Sequence, residues 1–245
     1  MKTKLLNMKK SILTIVLFLF AITQSFAHYL WIETNPSGKK GKEQEVKVYF
    51  GEYTYGVIEK VNGEAYPKVK DFTLWVVDTN GVKEQLEVTA KENFYLAKFT
   101  PKNNGTHTLV LDNHKIDVID YTKYDFGIFK THYNSSAKVQ VGKKVTETIA
   151  DNKNGITIKD VSKTVDEIKL QVLYKGKALK ENEVKIYVAD LWSKTLHTDE
   201  DGFISFKLPW ESKYILETTF SEKVPGKYKG KEYQFIWHCA TYCIK

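Results

Sequence analysis

The chain has no arginine, so all 37 of its basic residues are lysine. A planar fork that grips phosphate or carboxylate through two parallel hydrogen bonds is therefore excluded, and any anion must be met by lysine as a point charge. There is no G-x-S-x-G, no H-E-x-x-H and no phosphate-cradling glycine loop, which removes the nucleophile elbow, the zincin helix and the nucleotide site. With no positive sign of catalysis, the chain reads as a binding protein and not an enzyme. Helix-period apolar spacing is hard to find. Beyond the first 27 residues, no stretch approaches the about 20 apolar residues that cross a bilayer. The lysines alternate with glutamates and aspartates instead of clustering, which argues against nucleic acid as a partner.

What is present begins with an export signal. Lys2, Lys4, Lys9 and Lys10 form a positive start, "SILTIVLFLFAI" supplies a short apolar run, and Ser25 and Ala27 supply the small residues of a cleavage site. Residues 1–27 are thus expected to be a cleaved signal peptide, giving a periplasmic or secreted mature chain with no membrane span. Removing the four leader lysines from the total leaves 33 basic against 30 acidic residues, so the mature charge is nearly balanced.

The remaining 218 residues are rich in β-formers, with Tyr 15, Phe 13 and Trp 5 among abundant Val, Ile and Thr. Short alternating runs such as "EVKVYFGEY", "DFTLWVVD", "THTLVLDN", "KLQVLYKG" and "YQFIWHCATYCI" are separated by "TNG", "KNNG" and "DEDG" turns. This pattern predicts an all-β fold of two Ig-like or transthyretin-like antiparallel sandwiches. Asn80-Gly81 between two strand-like runs is the strongest hairpin cue. The polar, pattern-free "KKVTETIADNKNG" marks a seam, which divides the chain into 28–150 and 151–245.

A resemblance enters with particular residues. Leu170 to Phe220, with "KGKAL" and "TDEDG" between strands, resembles exported transthyretin-like or carboxypeptidase-regulatory-like β domains. The amino-terminal "AHYLWIE", then "VYFGEY", and a closing "GKYKGKEYQFIWHCATYCI" resemble a bacterial exported family of unknown function. Its members are often labelled periplasmic components of nickel or cobalt uptake (NikM-like). That resemblance implies a nickel or cobalt cargo and a membrane transporter component as partner, and copper enters with the first residue of the mature chain.

Cleavage after Ala27 would make His28 the first residue. Its α-amine and Nδ1 can close a small chelate ring on one metal ion, because the α-amine loses its proton near pH 8, well below lysine. A third nitrogen completes a set suited to Cu(II) or Ni(II). His132, after an aromatic run, and His238, in the last strand, are the expected further ligands, giving a metal set of His28, His132 and His238. His197 reads as part of a hairpin. His107 and His114, seven residues apart about one strand, fall on opposite faces and cannot serve one site together.

Cys239 and Cys243 stand on one strand face roughly 13 Å apart, too far for a direct bridge. Export nonetheless favours a disulfide, and a soft metal site with a histidine is the alternative. Asp199, Glu200 and Asp201 of "TDEDG" lack the twelve-position calcium pattern and read as a type I turn. Tyr49, Phe50, Tyr53, Tyr55 and Trp210 open a second class of function, a glycan-binding or adhesion module without metal.

Overall fold

The computed structural model describes residues 28–143, 152–163, 167–189 and 191–245. The expected leader, 1–27, and the expected boundary at 150/151 both lie outside the described residues. The fold is all-β: strands are joined by turns and by three single 3-10 turns.

A ten-stranded sheet forms the spine of the molecule. Its order is Ser193–His197, Glu183–Tyr187, Tyr214–Glu222, Phe235–Ile244, Gly127–Val141, Gly105–Asn113, Thr73–Val77 and Lys83–Gln85, with Ile119–Tyr121 and Ser37–Gly38 beside Gly127–Val141. The Thr73–Val77 and Lys83–Gln85 pair closes over Asn80-Gly81, where Asp78 accepts the main-chain N–H groups of Asn80 and Val82 at 2.8 Å and Gly81 takes φ +82°. A side chain at φ > 0 is strained, so glycine suits that turn.

One face of the spine is covered by a five-stranded sheet that contains Tyr29–Thr34, Gln44–Glu52 and Tyr95–Phe99. Between them lies a core of Leu30, Ile32, Val46, Val48, Phe50, Leu109, Leu111, Val139 and Val141, among others. Alternate residues of a strand point to opposite faces. The even-numbered residues of Phe235–Ile244 accordingly join a second core, in which Ala240 and Tyr242 pack with Ile156, Ile158, Leu170, Val172 and Phe206 of a four-stranded sheet. The two sandwiches share one sheet and bury its opposite faces.

The join is a parallel ladder. Phe129 to Ser136 pair in register with Phe235 to Tyr242, so the strand that comes last in the chain sits beside the longest strand of the first half. On its other side, Phe235–Ile244 pairs antiparallel with Tyr214–Glu222. The strand Tyr29–Thr34 also touches it: Thr241 Oγ1 donates to the Leu30 carbonyl at 2.8 Å, and Trp31 packs with Ile215 and Cys243. The halves expected from the sequence thus have separate cores but one continuous hydrogen-bonded sheet.

Candidate metal centre

At one level of the spine, His132 and His238 lie on adjacent strands, on the face covered by the four-stranded sheet, and His114 directly follows the third strand, Gly105–Asn113. His132 is paired with His238 across the parallel ladder. Extending the antiparallel register of Ala137 with Leu109 brings His114 opposite His132. The rings follow the backbone, with centroids 5.0 Å apart for His132 and His238 and 5.2 Å apart for His114 and His132. With metal–nitrogen bonds of about 2.0–2.1 Å, tetrahedral angles place two ligating imidazoles roughly 5 Å apart centre to centre. Each neighbouring pair has the spacing of two ligands to one ion.

Each outer ring is held by a carboxylate. Asp112 Oδ1 lies 2.9 Å from His114 Nδ1, and Glu222 Oε2 lies 3.2 Å from His238 Nε2, which also has the Tyr174 hydroxyl at 3.3 Å. A carboxylate that takes one ring N–H leaves the lone pair on the other nitrogen, the arrangement found behind metal-ligating histidines. For His238 that free nitrogen is Nδ1, and the Nδ1 atoms of His132 and His238 are buried with no hydrogen-bond partner. His238 is fully buried, His132 is half-buried, and His114 keeps 38% of its side chain exposed, so the row opens to solvent at that end.

Burial favours the neutral form of His132 and His238. Burial, with the neighbouring His238, Lys130 and His114, pulls the His132 imidazole down to about 3. Burial also lowers His238, although Glu222 opposes the shift. Glu222 is itself held at about 2: burial works against it, but hydrogen bonds from Lys175, Tyr174 and His238 prevail. Lys175 reaches Glu222 at 2.5 Å. Lys130 lies on the same face, donating to the carbonyls of His114 and Ile116 beneath the Tyr228 ring, and burial, then Lys229, lowers it to about 8.

Among the described residues, no three His, Cys, Asp or Glu side chains have donor atoms already converged on one point. The spacing of the rings is in place while the orientation is not, because the outer nitrogens are turned to their carboxylates.

His28 is not part of this row. It precedes Tyr29–Thr34, and its carbonyl accepts the Tyr133 hydroxyl at 2.8 Å. Tyr133 and His132 are consecutive on one strand, so His28 and His132 lie on opposite sides of the spine. The His28 ring packs on Phe50, with centroids 5.4 Å apart, and its Nε2 is 2.8 Å from Glu59 Oε1. Of the expected set of His28, His132 and His238, the structure brings together the last two and adds His114.

The other candidates fall away from the row. His107 is buried against Phe99, and His197 is exposed on an edge strand. Asp199 accepts the main-chain N–H groups of Asp201 and Phe203 at 3.0 and 2.7 Å, which makes "TDEDG" a turn. The expected disulfide is corrected: Cys239 and Cys243 are both free and buried, as their separation along one extended strand requires. Nor does either join a histidine, since both occupy the face of the strand opposite His238. Burial raises both thiols, Cys243 to about 12.

The trait that sequence reasoning missed is the alignment of His114 with His132. Its only signal is parity: residues 112 and 114 share a face that the apolar residues 109 and 111 do not.

The fold and site define a class, a double β-sandwich with a carboxylate-backed histidine row on a shared sheet. The chain belongs to the family described as Domain of unknown function (DUF4198), which matches residues 25–222. That match includes His114 and His132, while His238 lies beyond it. No curated protein matches the chain. Among solved structures, a two fibronectin type-III domain segment from chicken tenascin is 11% identical over 85% of this chain and 95% of that one, with a TM-score of 0.22. A marsupial T cell receptor is 8% identical over 88% and 73%, with a TM-score of 0.25.

Proposed function

We propose that this chain is an exported protein that binds a transition-metal ion, nickel, cobalt or copper, and passes it to uptake or resistance machinery. It acts by binding and not by catalysis, in the periplasm or outside the cell, with a membrane transporter component as the recipient. The observation that carries the reading is the row of His114, His132 and His238, spaced at 5.2 and 5.0 Å and backed at both ends by Asp112 and Glu222. Imidazole nitrogen suits these three metals. Packing alone gives no reason to leave the Nδ1 atoms of His132 and His238 buried without partners, since a buried polar atom left unpaired costs about 1–3 kcal/mol. The likeness of the chain's two ends to exported nickel and cobalt uptake components, and of Leu170 to Phe220 to transthyretin-like modules, points the same way.

The test is calorimetric titration of the exported protein with Ni(II), Co(II) and Cu(II), beside His114→Ala and His132→Gln. Loss of an equivalent in both variants, with unchanged thermal melts, is the expected result. Equal binding by all three proteins would overturn the assignment of the row.

One observation favours the second class, a glycan-binding or adhesion module. Trp192 and Trp210 meet edge to face at 4.9 Å on the surface, and Trp210 is 50% exposed. Glycan binding that survives a strong chelator and disappears in Trp210→Ala would establish that role instead.

A further inference from the structure

His28 lies in a polar setting of its own. The ladder that pairs Tyr29 with Gly51 continues, one residue outward, to His28 opposite Glu52. Directly opposed side chains of an antiparallel pair share a face and come within about 5 Å at Cβ. Glu52 is only 7% exposed, yet its Oε2 atom has no hydrogen-bond partner. A buried carboxylate oxygen left unpaired on the face that His28 shares calls for a ligand.

Glu59 completes the arrangement from the other side. Its main-chain N–H donates to the Phe50 carbonyl at 2.9 Å, which fixes the residue beside the His28 ring, and its Oε1 lies 2.8 Å from His28 Nε2. That contact holds the proton on Nε2 and leaves the lone pair on Nδ1. Nδ1 is the ring nitrogen that can chelate together with the α-nitrogen of the same residue. Tyr133, bound to the His28 carbonyl, keeps the residue from fraying. With side-chain exposures of 22% for His28 and 25% for Glu59, the site is open enough for an ion to enter.

We propose that His28, once export has freed its α-amine, forms a second metal site with Glu52, separate from the imidazole row and suited to Cu(II) or Ni(II). The α-nitrogen and Nδ1 of His28 close a six-membered chelate ring, Glu52 supplies an oxygen, and Glu59 positions the imidazole. Binding releases the proton carried by the α-ammonium group, so one proton leaves for each ion that enters. Two of the three donors belong to one residue and one of these is a main-chain nitrogen, so no cluster of three side chains is needed. The site does not depend on the row, and either can exist without the other.

The experiment uses the chain recovered after export, with its intact mass measured first, and Cu(II) alone as the probe. Binding is followed by calorimetry and by the nitrogen hyperfine pattern in electron paramagnetic resonance. One extra alanine before His28 is expected to abolish one equivalent, Glu52→Gln to weaken it, and Glu59→Gln to weaken it about 10-fold, the usual effect of losing a residue that orients a ligand. His132→Gln, which strikes the row, leaves this signal intact. A mature chain that begins elsewhere than His28, or an alanine-extended chain with the same Cu(II) affinity and spectrum, overturns the proposal. If that extension has no effect while His132→Gln abolishes binding, the terminal site falls and the row stands; the reverse pattern removes the row alone.

Discussion

Tyr242 donates its hydroxyl to Asp160 at 2.9 Å, binding the last strand of the spine to the first strand of the sheet that covers it. Lys138 joins the same carboxylate at 2.5 Å. Burial works to raise Asp160, but Lys138 and Ser162 hold it below the usual carboxylate range. A carboxyl with a depressed folded pKa adds stability above its unfolded value, and that stability is lost as pH falls through the folded pKa. Asp160→Asn is expected to cost about 2 kcal/mol at pH 7, since Lys138 is partly solvated and the loss stays below that of a fully buried pair. It should cost much less at pH 2–3. Urea melts at the two pH values check both.

Glu217 has the opposite sign. Burial first, and then Glu52, raises its carboxyl well above the ordinary range, against a weaker pull from Lys185. A raised acid stabilises the fold below its unfolded pKa, and that contribution is lost as pH rises through the folded value. Glu217→Gln, which cannot ionise, is expected to raise the Tm by a few degrees at pH 8 and to change it little at pH 4. Calorimetric scans across that range would show it, and a parallel loss at both pH values would contradict it.

His132 should stay neutral in mild acid. Because burial and three neighbouring groups bring it to about 3, its ring resonances in metal-free protein are expected to hold still between pH 8 and pH 5. Proton nuclear magnetic resonance titration reads this directly. A midpoint near 6.5, the ordinary histidine value, would mean that the ring is solvated.

Glu222 should govern metal binding without touching the ion. It orients His238 and is itself held by Lys175. Glu222→Gln is expected to lower affinity at the imidazole row by about 10–100-fold, with stoichiometry unchanged, because outer carboxylates set ring orientation and basicity. Calorimetry separates a change in affinity from a change in number of sites.

The two cysteines should be silent in the native state. Both are buried thiols raised by that burial, and the thiolate is the reactive form. Ellman's reagent is expected to find no thiol in the folded protein and two after denaturation without reductant. A count of zero after denaturation would establish a disulfide.

The strands were legible wherever one face is buried and the other is not. "KLQVLYKG" alternates, and Glu167–Tyr174 forms with Ile168, Leu170 and Val172 inward. Asn80-Gly81 announced its hairpin through turn chemistry alone. "QLEVTAKE" looked equally regular but forms no continuous strand: Gln85 ends Lys83–Gln85, Leu86 and Val88 pack into the core, and only Thr89–Ala90 pairs again. The histidine row was out of reach for a different reason. His132 and His238 are 106 positions apart and meet through a parallel ladder, a pairing that no local pattern specifies. Alternation correctly separated His238 from Cys239, but it could not show that Tyr133 would anchor His28 on the side of the sheet away from His132.

The strand Phe235–Ile244 follows every other described strand in the chain, yet its place is between Gly127–Val141 and Tyr214–Glu222, in the interior of the spine. Until it arrives, both neighbours carry raw backbone borders of the kind that recruit foreign strands. The folding chain is poised to aggregate until Phe235–Ile244 docks between them. The piece that completes the histidine row is thus also the piece that ends this exposure.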